Sequence, residues 1–124
     1  MIIEIEKLKK IDEIISCEGG ILIVYKYMNQ LYLSSQLRDG TGMIFYSTKK
    51  DLILNYLLSK INLIDLYNLS NDIFVTRKFQ RETSLFLSQD FLNLIEYGNL
   101  KFEQINKGLI NHNFVHKLLN DSLQ

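Results

Sequence analysis

The chain has 124 residues, 47% of them hydrophobic, which fits one domain that buries about two-thirds of its extended surface around a real core. Fourteen basic residues balance fourteen acidic ones, so no global charge draws the chain to nucleic acid or to an anionic membrane. An aromatic content of 11%, all Tyr and Phe, argues against disorder, and a single cysteine, Cys17, excludes a disulfide scaffold.

The opening stretch carries apolar residues at Ile5, Leu8, Ile11, Ile14 and Ile15, a helical period, with Glu6 and Lys10 placed as an i,i+4 pair. The spacing predicts a helix over about 2–16. A short strand is the alternative, because the start is rich in Ile. Met1 leads directly into a mixed apolar and acidic run, so no secretion signal is expected. Cys17 is expected as a small buried apolar residue, since its neighbour Glu18 gives no basic group to activate a thiolate. Glu18-Gly19-Gly20 then breaks the element.

"ILIVYKY", "LYLSSQL" and "MIFYST" read as three strands of an antiparallel meander, the first two joined at "MNQ". Alternation puts Ile23, Tyr25 and Tyr27 on one face, with Val24 and Lys26 on the other. In the second strand Leu31 and Leu33 share a face, opposite Tyr32 and Ser34. The longest clean apolar run, Ile21–Tyr25, is far short of the roughly 20 residues of a membrane helix. A cytoplasmic protein without a membrane segment is the expectation.

Arg38-Asp39-Gly40-Thr41-Gly42 joins the second and third strands. A phosphate-binding P-loop needs glycines that feed a helix and a Lys beside Ser or Thr. Here a strand sequence follows, no Gly-Lys-Ser/Thr appears, and the order of elements supplies no βαβ unit. Asp39-Gly40 is expected as a hairpin turn.

Ser47 or Thr48 is placed to cap a helix, with Asp51 in its first turn and Leu52, Ile53, Tyr56 and Leu57 on its buried face. A second helical turn is expected over Leu63–Leu69, a fourth strand at "DIFVTRKF" and a fifth at "TSLFLS". Ser88 or Asp90 can cap a helix at "FLNLIEY", closed by Gly98, and a last helix covers about 109–119. The sum is a single α+β domain over 1–124. Its sheet is mostly antiparallel, a three-strand meander plus one or two strands, covered by helices on one face.

The segment from Glu18 to about Arg77 resembles a bacterial domain family of unknown function. The residues that carry the likeness are Glu18-Gly19-Gly20-Ile21-Leu22, Leu31-Tyr32-Leu33 and Asp72–Val75. "SSQL" stands where that family has a Trp-rich strand, and Gly20 where it often has Pro. The resemblance implies an α+β domain with no catalytic residues to carry over.

Few motifs point to chemistry. His112 and His116 have a spacing that lets two imidazoles share a metal, but Asn113 stands where a metalloprotease has Glu. On a helix Ile110, Phe114, Val115, Leu118 and Leu119 form the buried arc and both histidines face solvent. No catalytic, cofactor or metal residue is assigned, and no cofactor is expected. Arg77, Phe79 and Arg81 would share a face of one strand, as a solvated edge or a phosphate grip. Four of the seven tyrosines, Tyr25, Tyr27, Tyr32 and Tyr46, fall in the meander, and tyrosine is enriched at interfaces. The expected function is therefore a small non-enzymatic module that binds another protein, of the inhibitor, immunity, antitoxin or adaptor kind. Its candidate surface is Tyr25, Tyr27, Tyr32, Arg38, Arg77 and Arg81. A homodimer through a sheet edge is compatible with this. The alternative is a ligand- or nucleotide-sensing domain using Asp39–Gly42 with Arg77 and Arg81. An enzyme with carboxylates gathered by the fold is the third possibility.

Overall fold

Six strands in simple chain order, β1-β2-β3-β4-β5-β6, make one antiparallel sheet in a computed structural model of the protein. The structure describes residues 5–16, 21–38, 42–77, 80–82 and 93–120, with backbone alone at 5, 74–77 and 80–82. The strands are β1 (Lys9–Ile15), β2 (Leu22–Tyr27), β3 (Gln30–Gln36), β4 (Gly42–Thr48), β5 (Ile73–Arg77) and β6 (Gln80–Glu82). The helices are α1 (Lys50–Leu57), α2 (Leu63–Asn68) and α3 (His112–Leu119), and short 3-10 turns lie at Ile5–Lys7, Phe102–Gln104 and Lys107–Leu109. The chain is an α+β domain.

The first element corrects the sequence expectation. Residues 9–15 are a strand, not a helix. Two register shifts against β2, between Lys10 and Asp12 and between Glu13 and Ile15, each insert an extra residue. Each bulge resets the alternation, so Ile11, Ile14 and Ile15 mimic a helical period while lying on a bent strand. The outer edge of β1 is partly closed by the segment before α3. The Ser16 amide donates to the Leu109 carbonyl at 2.8 Å, Asn111 donates to Ile14 at 3.0 Å, and Ile15 bridges Ile110. Among the described residues no backbone pairs with the outer edge at Lys9–Ile11.

The meander itself follows the sequence pattern. Val24, Leu33 and Tyr46 stand side by side on β2, β3 and β4, and Tyr25, Tyr32 and Ser47 form the next row. The first row joins the main core. There Leu22, Ile44 and Tyr46 pack with Ile53, Tyr56 and Leu57 of α1, Leu63 and Leu66 of α2, and Phe114 and Leu118 of α3. A second, smaller cluster lies on the opposite face: Leu8, Tyr32 and Phe45, flanked by half-buried Tyr25, Tyr27 and Met43. The helices thus cover one face.

Several boundaries differ from expectation. β4 runs through Ser47 and Thr48, and α1 starts after Lys49, whose side chain makes no capping bond. Ser47 cannot cap a helix, because its Oγ already accepts from the Asn71 and Asp72 amides at 3.2 and 3.0 Å. Leu52 is only partly buried. α1 ends in a Schellman pattern: Lys60 donates to the Asn55 carbonyl and Ser59 to Tyr56, with Ser59 at φ 61° where glycine is usual. α2 starts from a reciprocal Asn62–Asp65 capping box. The described part of "FLNLIEY", residues 93–97, is turn rather than helix, because Ile95 bridges Leu37 at the end of β3. Gly98 is therefore no helix cap; a side chain there would press on Ile95 and Ile64. Strand β6 falls at Gln80–Glu82, while the expected strand "TSLFLS" and the caps Ser88 and Asp90 lie outside the described residues, as do Cys17 and Asp39–Thr41. Gly42 opens β4, and the Leu37 amide donates to its carbonyl at 3.0 Å, so a strand follows the Arg38–Gly42 segment. Leu119, expected in the buried arc of α3, is 45% exposed.

Candidate functional site

Lysines gather where β1 meets the β2–β3 hairpin. Lys7 leaves the opening 3-10 turn, Lys9 and Lys10 start β1, and Lys26 lies near the end of β2. With Ile11, Tyr27 and Met28 they line a groove of about 590 Å³ whose lining contains no carboxylate. Register decides the electrostatics. Lys9 and Lys26 are directly opposite on paired strands, and Lys10 is opposite Tyr25. Like charges placed so repel each other. Lys10 is neutralised by Glu13 at 2.6 Å, and this hydrogen bond holds its ammonium charged above the usual 10.5. Among the described residues no carboxylate lies within ion-pairing distance of Lys9 or Lys26.

The hairpin tip supplies the apolar side. Tyr27 pairs with Gln30, so Met28 and Asn29 form a two-residue turn. Met28 takes φ 54°, a left-handed conformation that glycine or asparagine normally fills, and is 76% exposed. A strained, exposed methionine beside a cationic groove is a poor choice for stability alone. Tyr25 stacks on Phe45 at 5.4 Å between ring centres, and burial raises its phenol pKa against the opposing charge of Lys10.

Of the six residues expected to form one partner surface, the three tyrosines come together on one face and the three arginines lie elsewhere in the sheet. Tyr25 and Tyr27 are half-buried on the face away from the helices, and Tyr27 lines the groove. Tyr32 was expected to be exposed but is buried, at 2%, and donates to Asp72 Oδ2 at 2.9 Å. Arg38 stands beyond the far end of β3, about 20 Å along the strand from Tyr32 at roughly 3.3 Å per residue. Its guanidinium donates to the Asn93 carbonyl and its amide to Leu94. Arg77 ends β5 and Arg81 lies in β6, opposite Thr76, so the two do not share one strand as expected. Phe79 lies outside the described residues. Both arginines are on the side of the sheet remote from β1 and β2.

The chain matches no family model, no curated protein and no solved structure. Its own geometry therefore carries the functional argument. Among the described residues no group of three His, Cys, Asp or Glu is placed to hold a metal. His112 and His116 are exposed; His112 Nε2 lies 3.0 Å from the Lys107 carbonyl and His116 Nε2 2.9 Å from Asn120 Nδ2. Among the described residues no helix is long and apolar enough to cross a membrane.

Sequence reasoning missed the lysines of the groove. Lys7, Lys9 and Lys10 are close in the chain and could have been seen as a basic cluster. Read on a helix, however, Lys10 was spent on Glu6, and nothing brought Lys26 near. The strand does both: it gives Lys10 to Glu13 and sets Lys9 against Lys26.

Proposed function

We propose that this protein is a non-enzymatic interaction module that holds an acidic segment of a partner protein. Lys9 and Lys26 would meet the partner's carboxylates, and Tyr27 with Met28 would receive an apolar side chain between them. The observation that carries this is the Lys9–Lys26 pair, two ammonium groups on facing positions without a counter-ion among the described residues. In the free protein the pair is repulsive; an anionic partner turns the same charges into attraction. The open outer edge at Lys9–Ile11 gives access, and the adjacent bulge with its lysines discourages pairing with a second copy of the chain.

The test uses a fluorescent acidic peptide, Glu-Glu-Leu-Glu-Glu, and anisotropy at low salt. Saturable binding is expected. It should weaken at least about tenfold, or ~1.4 kcal/mol, in a Lys9→Glu/Lys26→Glu variant. Binding should also fall as salt is raised past the Debye regime. Equal binding of a Lys-Lys-Leu-Lys-Lys peptide, or an unaffected variant, would sink the proposal. A single-stranded oligonucleotide that bound more tightly than the acidic peptide would replace it with nucleic-acid recognition.

A further inference from the structure

The chain has three methionines, and two of them, Met28 and Met43, fall among the described residues. Their settings differ. Met43 lies in β4, half-buried against the small aromatic cluster. Met28 stands at the tip of the β2–β3 hairpin, 76% exposed, and lines the lysine groove together with Lys9, Lys26 and Tyr27. A turn position at φ 54° suits glycine, so the thioether is held out at the groove at a cost to the backbone.

Exposure lets a dissolved peroxide reach a thioether, and oxidation turns this flexible apolar side chain into a polar sulfoxide. The neighbours of Met28 give that change a second consequence. A sulfoxide oxygen accepts hydrogen bonds. Lys9 and Lys26 are cationic donors with no carboxylate at ion-pairing distance among the described residues. An oxidised Met28 would therefore set an acceptor beside the ammonium groups that an acidic partner has to reach. It would also withdraw the apolar contact.

We infer that Met28 is a redox switch on the lysine groove: a hydroperoxide lowers the affinity for an acidic partner, and reduction restores it. The inference rests on the acidic-segment reading above. The sulfur attacks one peroxide oxygen. An S–O bond forms and the O–O bond breaks; the thioether gives up two electrons and the peroxide takes them. With hydrogen peroxide the departing hydroxide takes the proton of the transferred oxygen, leaving sulfoxide and water. A dithiol, acting through a sulfoxide reductase, reverses the step: two thiols become a disulfide and the oxygen leaves as water.

The 124-residue chain is treated with limiting hydrogen peroxide, and peptide mapping by mass spectrometry follows the gain of one oxygen at each methionine. Met28 should oxidise well ahead of Met43. Anisotropy with the Glu-Glu-Leu-Glu-Glu peptide then reads affinity. The oxidised protein should bind at least about fivefold more weakly, and sulfoxide reductases for both epimers with dithiothreitol should restore binding. Met28→Leu keeps an apolar side chain and every other oxidisable group, Cys17 included. It should bind like the untreated protein and ignore peroxide. Met28→Gln carries a neutral acceptor of similar length and should bind weakly without any peroxide. Met28 oxidising no faster than Met43, affinity unchanged once Met28 is oxidised, or an equal loss in Met28→Leu would overturn the switch and leave the acidic-segment reading standing. An untreated protein that does not bind the acidic peptide would overturn both.

Discussion

The two faces of the sheet are built differently. The helix-covered face is a continuous core in which Leu22, Val24, Leu33 and Ile44 have no exposed surface and three helices share the contacts. On the opposite face Leu8, Tyr32 and Phe45 form a separate, smaller cluster among the described residues, and its flanking residues Tyr25, Tyr27 and Met43 remain half-buried. A single strand feeds both faces, because side chains alternate. The difference teaches where stability and recognition are divided. One face removes aliphatic surface from water; the other holds half-buried aromatic side chains, of which Tyr27 reaches the lysine groove.

The sharpest way to break this comparison is to truncate one side chain on each face. Leu33→Ala should destabilise the fold by about 2–5 kcal/mol, as other buried leucines do. Tyr27→Ala should lose about 1 kcal/mol or less, because its ring is only half-buried. Urea denaturation midpoints would show it, and equal losses would mean that the aromatic face is core as well.

A finer test lies inside the helix-covered face. Tyr46 and Tyr56 are both fully buried, and burial lifts both phenols far above their ordinary pKa. Tyr46 Oη lies 3.0 Å from Ser35 Oγ, whereas Tyr56 Oη has no hydrogen-bond partner among the described residues. Tyr46→Phe strands the Ser35 hydroxyl and should cost about 1–3 kcal/mol. Tyr56→Phe removes an orphan and should be neutral or stabilising. Thermal unfolding of the two variants, which differ from wild type by one oxygen each, reads the sign directly.

The two faces were not equally legible in the sequence. Strict alternation in "ILIVYKY", "LYLSSQL" and "MIFYST" assigns β2, β3 and β4 and the faces of Ile23 to Tyr27 and of Leu31 to Ser34. Bulges hid β1, because each extra residue moves the next apolar side chain to a helical spacing. Leu94 and Ile95 looked like a helix face, but the bridge from Ile95 to Leu37 holds them as a turn. The lysine groove was illegible for a related reason. Its decisive contact, Lys9 against Lys26, exists only once β1 is a strand in one particular register. Ser47 and Thr48 are strand rather than helix cap, which their neighbours in space decide and their neighbours in sequence do not.

The smallest expected effect on stability bears most directly on the recognition face. Met28 adopts φ 54° at a hairpin position that suits glycine. A left-handed conformation costs a non-glycine residue roughly 1–2 kcal/mol. Met28→Gly relieves that strain but adds freedom to the unfolded chain, worth about 0.4–1 kcal/mol in the other direction. The net change should be small and favourable, a rise of a few degrees at most in Tm. If Met28 is kept for recognition, the same variant should bind the acidic peptide several-fold more weakly, because the exposed thioether that would cover the partner's apolar side chain is gone. Stability gained while affinity is lost would separate the two roles in one substitution. Stability lost, with affinity unchanged, would make Met28 an ordinary turn residue and leave the groove with its lysines and Tyr27 alone.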